Sequence, residues 1–294
     1  MQPAGLYVDA TFGRGGHSTR ILAALGPEGR LIAVDRDPDA IAAGRARFAS
    51  ETRLRLVQGS FGDLAALVRA QAGWQPCQGI LLDCGVSSPQ LDDAGRGFSF
   101  QNDGPLDMRM DPTRGEALGV WLARAGVDEI RDVIATYGEE RHARRIAMAI
   151  ERARSAAPLT RTRQLADIVA AAVPAREPGK HPATRTFQAL RIRINDEFAQ
   201  LRSGLAQALA LLAPAGRLAV ISFHSLEDAI VRDFMQGHAR VDPALASLPT
   251  VPAAARPTLK LVGRKLRAGA AELARNPRAR SALLRVAEKL PEAP

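Results

Sequence analysis

The feature that most constrains the fold is a repeated alternation of short apolar runs and helical segments within the first 83 residues. The apolar runs are LYVD (6–9), RLIAVD (30–35), LRLVQ (54–58) and GILLD (79–83). Parallel strands are buried on both faces and therefore appear as continuous apolar runs. The alternation predicts an α/β fold with a mostly parallel sheet and right-handed crossovers. Ligands of such sheets bind at the carboxyl ends of the strands, where Asp9, Asp35 and Asp83 stand.

The pattern changes after the fourth run. Between about Gly104 and Pro182 the sequence shows helical periodicity and no strand, as in GEALGVWLARAG and ERHARRIAMAIERARS. This indicates an inserted helical domain that ends in a loop at 174–182. We therefore predict a first sheet segment at 1–103, the insertion at 104–183, and a second sheet segment at 184–294.

The second sheet segment has its own elements. A long amphipathic helix is predicted from Arg185 to Leu212, followed by a strand at 217–222 (RLAVIS). The next helix opens at Ser225, and Asp228 stands three residues later, as in a capping box. Two closing strands are expected within 259–267 and 281–289, and the Pro- and Ala-rich stretch 240–258 is expected to be a loop.

Charge and composition narrow the class of protein. The chain has 294 residues, of which 46% are hydrophobic, so it can bury a sizeable core. Its net charge is +9, and the basic residues are mostly arginine, which pairs well with phosphate. A nucleic-acid partner is therefore favoured, although arginine used only for solubility would give the same count. Cys77 and Cys84 suggest neither a disulfide framework nor a zinc site, and the histidines are too scattered for a metal site.

No stretch reads as a signal peptide or a membrane span, so we expect a cytoplasmic protein. The sequence leaves open whether it is a monomer or a homodimer.

The glycines of VDATFGRGGHS (8–18) indicate a nucleotide loop. Gly13, Gly15 and Gly16 stand where backbone must approach a ligand closely, ahead of a helix. The dinucleotide fingerprint fails because position 18 is Ser, and the Gly-Lys-Ser/Thr of a phosphate loop is absent. Asp35 follows Gly13 at the spacing typical of a carboxylate that binds ribose. The alternative role for Asp35 is a cap of the next helix, but Asp37 is better placed for that. The loop thus fits S-adenosylmethionine as well as NAD.

The segment DCGVSSPQ (83–90) follows the fourth run. Enzymes of this fold that methylate amines carry a short polar segment with a proline at this place. Oxygens around Ser88 and Pro89 could accept the hydrogens of a target amine. An ordinary Ser-Pro turn would have the same sequence.

Seven ordered blocks carry a resemblance over about residues 6–289. They are VDATFGRGGHS, AVDRDPDAI, LLDCGVSSPQLDDAGRGFSF, DGPLDMRMD, TRTFQALRIRIN, ISFHSLED and NPRARSALLRVAE. The chain resembles the bacterial 16S ribosomal RNA N4-cytosine methyltransferases (RsmH, also called MraW). The resemblance implies a class I, Rossmann-like methyltransferase that uses S-adenosylmethionine and carries an inserted helical domain. Its implied target is the cytosine at position 1402, in the decoding region of 16S rRNA within the small ribosomal subunit.

The resemblance also implies roles for individual residues. The cofactor residues would be Gly15, Gly16, His17, Asp35 (ribose), Phe61 (adenine), Asp83 and Gln90. For catalysis we select Ser88, the backbone near Pro89, and Asp107. Two structural alternatives stay open: Phe61 as plain core, and Asp107 as a salt-bridge partner of Arg109 or Arg114. Family members usually carry a further segment ahead of the first strand, so we expect a more open cofactor pocket if this protein lacks it.

Other functions remain to be distinguished. The arginine-rich stretches 140–154 and 184–195 and the basic tail from Arg256 could hold RNA phosphates or simply face solvent. A methyltransferase acting on DNA cytosine or a protein side chain would share the cofactor site. An NAD-dependent oxidoreductase would share the glycine loop and Asp35, and a non-catalytic RNA-binding assembly factor would share the charge.

Overall fold

The computed structural model describes residues 1–73, 75–174, 179, 181–241, 244–245, 252 and 255–291. The chain divides into two compact units. The first consists of Met1–Gly85 and Phe198–Pro294, and the second of Val86–Glu197. The boundaries drawn from the sequence, at 104 and 183, lie inside the second unit, and the three-segment division stays a prediction.

The first unit is built on one sheet of eight strands, ordered β3-β2-β1-β4-β5-β8-β6, with β7 pairing β8. The strands are β1 Leu6–Asp9, β2 Arg30–Asp35, β3 Leu54–Gln58, β4 Cys77–Asp83, β5 Leu212–Ser222, β6 Leu259–Leu261, β7 Leu266–Arg267 and β8 Leu283–Lys289. β1 to β5 run parallel, and β8 is antiparallel to β5, β6 and β7. The mostly parallel α/β sheet predicted from the apolar runs is confirmed.

The helices follow the predicted alternation. They are α1 Gly16–Ala24, α2 Pro38–Arg47, α3 Leu64–Ala72, α4 Ser88–Asp92, α5 Leu118–Arg124, α6 Val127–Gly138, α7 Ala143–Ala156, α8 Thr162–Ala172, α9 Thr184–Asn195, α10 Glu197–Leu211, α11 Ser225–His238 and α12 Ala270–Arg275. The Asp37-Pro38 start of α2 is as expected: the Asp37 side chain accepts a hydrogen bond from the Asp39 amide at 3.0 Å, and Pro38 stands at the first helical position.

The second unit packs helices α5 to α9 around an apolar core. Trp121 is fully buried there among Ile130, Ile134 and Ile146. Its indole N–H is satisfied by the carboxylate of Glu129 at 3.0 Å, which makes burial of so large a ring affordable. Apart from an isolated bridge between Pro105 and Arg161, the described residues of 104–182 form no strand, as predicted.

Three sequence predictions about the second sheet segment are wrong. The long helix 185–212 is two helices, because Asp196 adopts a left-handed conformation (φ 50°) between α9 and α10. The strand at 259–267 is split into β6 and β7 around Gly263, whose φ is +69°. Asp228 does not cap α11, since its carboxylate binds Arg285, while the ring of His224 accepts the capping bond from Glu227 N–H.

The loops predicted at 174–182 and 240–258 lie largely outside the described residues. No helix in the described part of the chain is long and apolar enough to cross a membrane.

Candidate functional site

The carboxyl edge of the parallel sheet brings the strand-end aspartates of the first unit together. Asp9 at the end of β1 is in register with Ala33 of β2 and Leu81 of β4. Asp35 and Asp83 each lie two residues further along their strands, so they flank the chain that leaves β1. This is the switch point of the strand order, where open α/β sheets bind ligands.

Asp35 is held by backbone amides. Its Oδ2 accepts from Gly13 N–H at 2.7 Å, and its Oδ1 accepts from Asp37 N–H at 2.9 Å. Burial raises the pKa of Asp35 to about 6, although both hydrogen bonds act to lower it. The side chain is a carboxylate at neutral pH, with lone pairs left for further donors.

Asp9 ties the glycine loop to the sheet. Its carboxylate is fully buried and accepts from Ser18 Oγ–H at 2.7 Å and from Thr11 N–H at 3.2 Å. Burial raises the pKa of Asp9. Ser18 stands where a dinucleotide fingerprint has its third glycine, so this departure from the fingerprint has a structural use. The sequence placed Asp9 at a strand end but gave no role to Thr11 or Ser18; a polar residue two positions after an aspartate was the available signal.

The three glycines of the loop have different reasons to be glycine. Gly13 (φ +55°) presents its amide to Asp35. Gly15 (φ +74°) caps α1, and a Cβ there would lie 2.8 Å from the rings of Phe12 and Phe48. At Gly16 a Cβ would meet nothing within 4 Å. No side chain in the described part of the chain caps α1, so the first amides of that helix are left for solvent or a ligand.

His17 and Asp83 form a pair beside this loop. His17 Nε2 lies 3.4 Å from Asp83 Oδ2, and the contact with Asp83 raises the pKa of His17. The Asp83 amide donates to Thr11 Oγ1 at 2.7 Å. The other carboxylate oxygen, Asp83 Oδ1, is buried and has no hydrogen-bond partner among the described residues. A buried oxygen of this kind is costly unless a donor reaches it, which indicates a place for a ligand's donor group.

Phe61 follows β3 in a short 3₁₀-helix, Phe61–Asp63. It is half-buried and packs against the core of the first unit, and α10 approaches its ring so closely that a Cβ at Gly204 would lie 2.8 Å from it. The packing with α10 agrees with a core role, while the partial exposure leaves surface for a further contact. Its place beside an adenine stays a prediction.

Ser88, Pro89 and Gln90 lie together in the second unit, on the short helix α4. Ser87 and Gln90 form a capping box, in which Gln90 Oε1 accepts from Ser87 N–H at 2.9 Å. The proline at the start of the helix is favoured for its fixed φ. The segment is therefore a capped helix start and not an irregular turn. The roles of Ser88 and Pro89 toward an amine, and of Gln90 toward a cofactor, stay predictions.

Asp107, also in the second unit, is bound by Arg109 through two hydrogen bonds of 2.8 and 2.7 Å. The salt bridge that the sequence left open for Asp107 is thus present. Burial acts to raise the pKa of Asp107, but the hydrogen bonds and charge of Arg109 outweigh it, so the pKa lies below its usual range.

The loop that carries Asp107 is held in an unusual conformation. Met108 is fully buried with φ +61°, a region that costs energy for a residue with a side chain. Asn195 spans it, accepting from Met110 N–H at 2.8 Å and donating to the Met108 carbonyl at 2.7 Å. Arg96 donates to the carbonyls of Arg109 and Met110. Sequence reasoning missed Asn195 and Arg96, because their partners are distant along the chain.

The structure thus brings Gly13, Gly15, Gly16, His17, Asp35 and Asp83 to one edge of the sheet, with Phe61 after the neighbouring strand. The other candidates belong to the second unit. The described residues contain no cluster of three or more His, Cys, Asp or Glu that could hold a metal ion.

Comparison with known proteins gives the family. The model of the MraW methylase family matches residues 1–290. The ribosomal RNA small subunit methyltransferase H of Thioalkalivibrio sulfidiphilus (strain HL-EbGR7) is 57% identical over 291 residues, covering 99% of this chain and 93% of the relative.

Solved structures resemble the chain more loosely. An rRNA methylase from Streptococcus thermophilus has 12% identity and a TM-score of 0.43, with 99% of this chain and 90% of that chain covered. TrmN from Thermus thermophilus has 14% identity and a TM-score of 0.43, with 98% and 45% covered. At these TM-scores the two likenesses carry no argument. The family model and the 57% identical relative each cover nearly the whole chain, and on that ground the chain belongs to the MraW methylase family.

Proposed function

We propose that this protein transfers a methyl group from S-adenosylmethionine to N4 of a cytosine in the decoding region of 16S rRNA. The enzyme class follows from the family: the chain is a methyltransferase, which removes the oxidoreductase and non-catalytic alternatives. The relative's name, ribosomal RNA small subunit methyltransferase H, supports the substrate, and the basic charge of +9 agrees with an RNA partner. The reaction then takes place in the cytoplasm, where ribosomal subunits are present.

The observation that carries the proposal is the acidic edge of the sheet around the glycine loop. Asp35 offers a half-buried carboxylate for ribose hydroxyls, Asp83 Oδ1 lacks a donor in the described chain, and a Cβ at Gly16 would meet only open space. These features fit a nucleoside that also carries a cationic amino group. We infer that Gly15, Gly16, His17, Asp35 and Asp83 hold S-adenosylmethionine, with Phe61 at its adenine and Gln90 completing the site.

When bound, S-adenosylmethionine supplies a methyl group that is already electrophilic because it sits on a positively charged sulfur. In the transfer the N4–carbon bond would form as the carbon–sulfur bond breaks, and the sulfur would keep the electron pair. The residues of this chain then have two tasks: to align the amine and to accept its hydrogens.

The amine nitrogen of cytosine is a weak nucleophile, since its lone pair is delocalised into the ring. In our proposal Ser88, the backbone near Pro89 and Asp107 accept hydrogen bonds from this amine and so localise the pair. Asp107 suits that role because its pKa is below the usual range, which keeps the carboxylate ionised. After transfer the nitrogen would be cationic and acidic, and one N4 proton would pass to the Asp107 carboxylate, since a weak base suffices for this step.

Tritiated-methyl transfer tests the proposal. The protein is incubated with 30S particles, naked 16S rRNA and duplex DNA, and the labelled nucleosides are identified by mass. We expect N4-methylcytidine at one site of 16S rRNA. Label only in DNA or protein would contradict the substrate, and 30S binding without label would contradict the activity. Mapping of 16S rRNA from cells with and without the gene then locates the nucleotide.

A further inference from the structure

An exposed stripe of four arginines runs along helix α7 of the second unit. Arg141 lies just before the helix, and Arg144, Arg145 and Arg152 lie on it; all four are exposed. Their spacing of three, four and seven residues places them on one face. The opposite face, with Ala143, Ile146, Ala147 and Ile150, is buried. Between the first and last arginine the stripe is about 16 Å long, from a rise of about 1.5 Å per residue.

None of these four guanidinium groups has a hydrogen-bond or ion-pair partner within the described residues. The acidic neighbours are used elsewhere. Glu140 is buried and its carboxylate accepts from the His142 amide, while Glu151 pairs with Arg154. The stripe therefore keeps its full positive charge on the surface.

This arrangement is unfavourable for the fold itself. Arg141, just before the helix, precedes Arg144 and Arg145 by three and four residues, and like charges at this spacing repel one another. Three of the arginines also lie at the amino end of α7, where the helix dipole disfavours cations. The first turn of the helix has no acidic residue to offset them. An unfavourable feature without a compensating contact indicates a partner outside the chain.

The arginines surround an apolar contact. With His142 and Met148 they line an open concavity of about 420 Å³. Met148 lies in the middle of the stripe with 45% of its surface exposed. A cationic rim around a single exposed apolar side chain suits a ligand that alternates phosphate with apolar sugar or base surface.

We propose that the α7 stripe (Arg141, Arg144, Arg145 and Arg152 around Met148) binds the sugar-phosphate backbone of the RNA substrate. The proposal rests on the proposed function for the identity of the RNA. Guanidinium groups bind phosphate through paired hydrogen bonds. An exposed face with four cations and no carboxylate complements a polyanion, and RNA is the polyanion that the proposed reaction brings to the enzyme. Phosphate contacts of this kind position the RNA and do not read its sequence.

The test compares three variants of the full-length protein. The first replaces all four stripe arginines by glutamine (R141Q/R144Q/R145Q/R152Q). Its matched control removes the same charge from four exposed arginines of the first unit (R45Q/R55Q/R202Q/R240Q). The third variant is Met148→Ser. Binding to a transcript of the 16S decoding region is measured at several salt concentrations, together with thermal unfolding and single-turnover methylation at saturating RNA.

For the stripe variant we expect binding at least about tenfold weaker than for the control. Each lost phosphate contact also makes the slope of log affinity against log salt shallower by about 0.7–0.9. Its midpoint of thermal unfolding should be unchanged or higher, because repulsion is relieved. Met148→Ser should weaken binding without changing the salt slope. At saturating RNA, methylation by the stripe variant should persist.

Equal affinity and slope in the stripe variant and its control would overturn the proposal. So would a wild-type dimer that the stripe variant turns into a monomer, since the face would then bind a second copy of the chain. If the stripe variant unfolds at a lower temperature than the wild type, the single change Arg144→Gln is tested in its place. We then expect a smaller decrease in the slope of log affinity against log salt. If the wild type binds the transcript through the stripe but does not methylate it, the proposed function is wrong, whereas the proposal that the stripe binds RNA is supported.

Discussion

Asp35 and Asp107 were both selected from the sequence as functional aspartates. They differ in their hydrogen-bond partners and in the direction in which their pKa is shifted. In the first unit, the hydrogen-bond partners of Asp35 among the described residues are backbone amides, and burial raises its pKa to about 6. In the second unit, Arg109 binds Asp107 on both oxygens, and its pKa is lowered despite burial. The first arrangement suits a carboxylate that recognises neutral hydroxyls. The second suits one that must stay charged while an amine changes its charge beside it.

The largest effect is expected from Asp107→Asn. Removing the carboxylate takes away the acceptor that we assign to the target amine, so kcat should fall by about 100-fold or more, in the range of general-base loss. S-adenosylmethionine binding should be unchanged, because that assignment concerns only the amine. Ser88→Ala should give a smaller loss of the same kind. Single-turnover methylation and calorimetric cofactor binding measure the two quantities.

The matched control is Asp103→Asn. Asp103 also belongs to the second unit and pairs with an arginine, Arg161, but it is exposed. We expect the kcat of Asp103→Asn to stay within about twofold of the wild type, since exposed salt bridges contribute little to stability. Unchanged turnover in both Asp107→Asn and Ser88→Ala would remove these residues from the chemistry.

Asp35→Asn tests the other side of the comparison. An amide keeps one acceptor but places an N–H₂ group near Gly13 N–H or Asp37 N–H, and it loses the charge that strengthens bonds to ribose hydroxyls. Loss of a charge-assisted bond of about 2–3 kcal/mol weakens cofactor binding by roughly 30- to 150-fold. Equilibrium binding of S-adenosylhomocysteine measures it. The exposed Asp39, in the first turn of α2, is the control, and Asp39→Asn should leave the cofactor affinity unchanged. An affinity that stays the same in Asp35→Asn would take the ribose role away from this residue.

Asn195→Ala tests whether the conformation of the Met108 loop depends on the two hydrogen bonds that Asn195 makes to it. The change leaves Met110 N–H and the Met108 carbonyl buried without their partner. Unsatisfied buried groups cost about 1–3 kcal/mol each, so with two such groups the free energy of unfolding should fall by about 2–6 kcal/mol. Denaturant unfolding measures it. If Asn195 acts as a positioning residue for Asp107, kcat falls while cofactor affinity is kept.

Asn195→Asp keeps the acceptor for Met110 N–H and loses the donor, so an intermediate loss of stability is expected. The exposed Asn102 is a control, and Asn102→Ala should stay within about 0.5 kcal/mol of the wild type. Wild-type stability in Asn195→Ala would show that Arg96 and local packing hold the loop without the hydrogen bonds of Asn195.

The two regions also differ in how far the sequence could predict them. The strand-end aspartates and the glycine loop have local signals: an apolar run, an acid at its end, and glycines at turn spacing. Their geometry follows from the parallel register, because neighbouring strands end at one edge. Asp35, Gly13 and Asp83 could therefore be placed together without a structure.

The Met108 loop has no such signal. Its conformation depends on Asn195 and Arg96, which are distant in the sequence. The backbone preference of methionine does not predict the left-handed conformation of the buried Met108. The break at Asp196 was missed for a related reason, since neither glycine nor proline marks it. Gly263, in contrast, did mark the break between β6 and β7, and a continuous strand should not have been predicted across it.

The smallest effect is expected from pH, which distinguishes the two aspartates without mutation. Asp35 has a folded pKa of about 6, above the ordinary 3.8. The apo-protein thus gains stability from the protonated form, and this gain is lost as pH rises through about 6. Cofactor binding should have the opposite sign, because the ribose role needs the carboxylate. We expect constant affinity above pH 7 and a loss of about tenfold by pH 5, from linkage to one proton.

His17 is a second group beside the glycine loop that titrates near this range, since the contact with Asp83 raises its pKa from 6.5. Calorimetry from pH 5 to 8 on the wild type, Asp35→Asn and His17→Gln separates the two. If Asp35 is responsible, the loss of cofactor affinity between pH 7 and pH 5 persists in His17→Gln and vanishes in Asp35→Asn. The reverse result would assign this pH dependence to the His17–Asp83 pair. Asp107, whose pKa is lowered, should add no step to turnover in this range. A fall in kcat near pH 6 at saturating cofactor and RNA would therefore argue against Arg109 keeping Asp107 ionised.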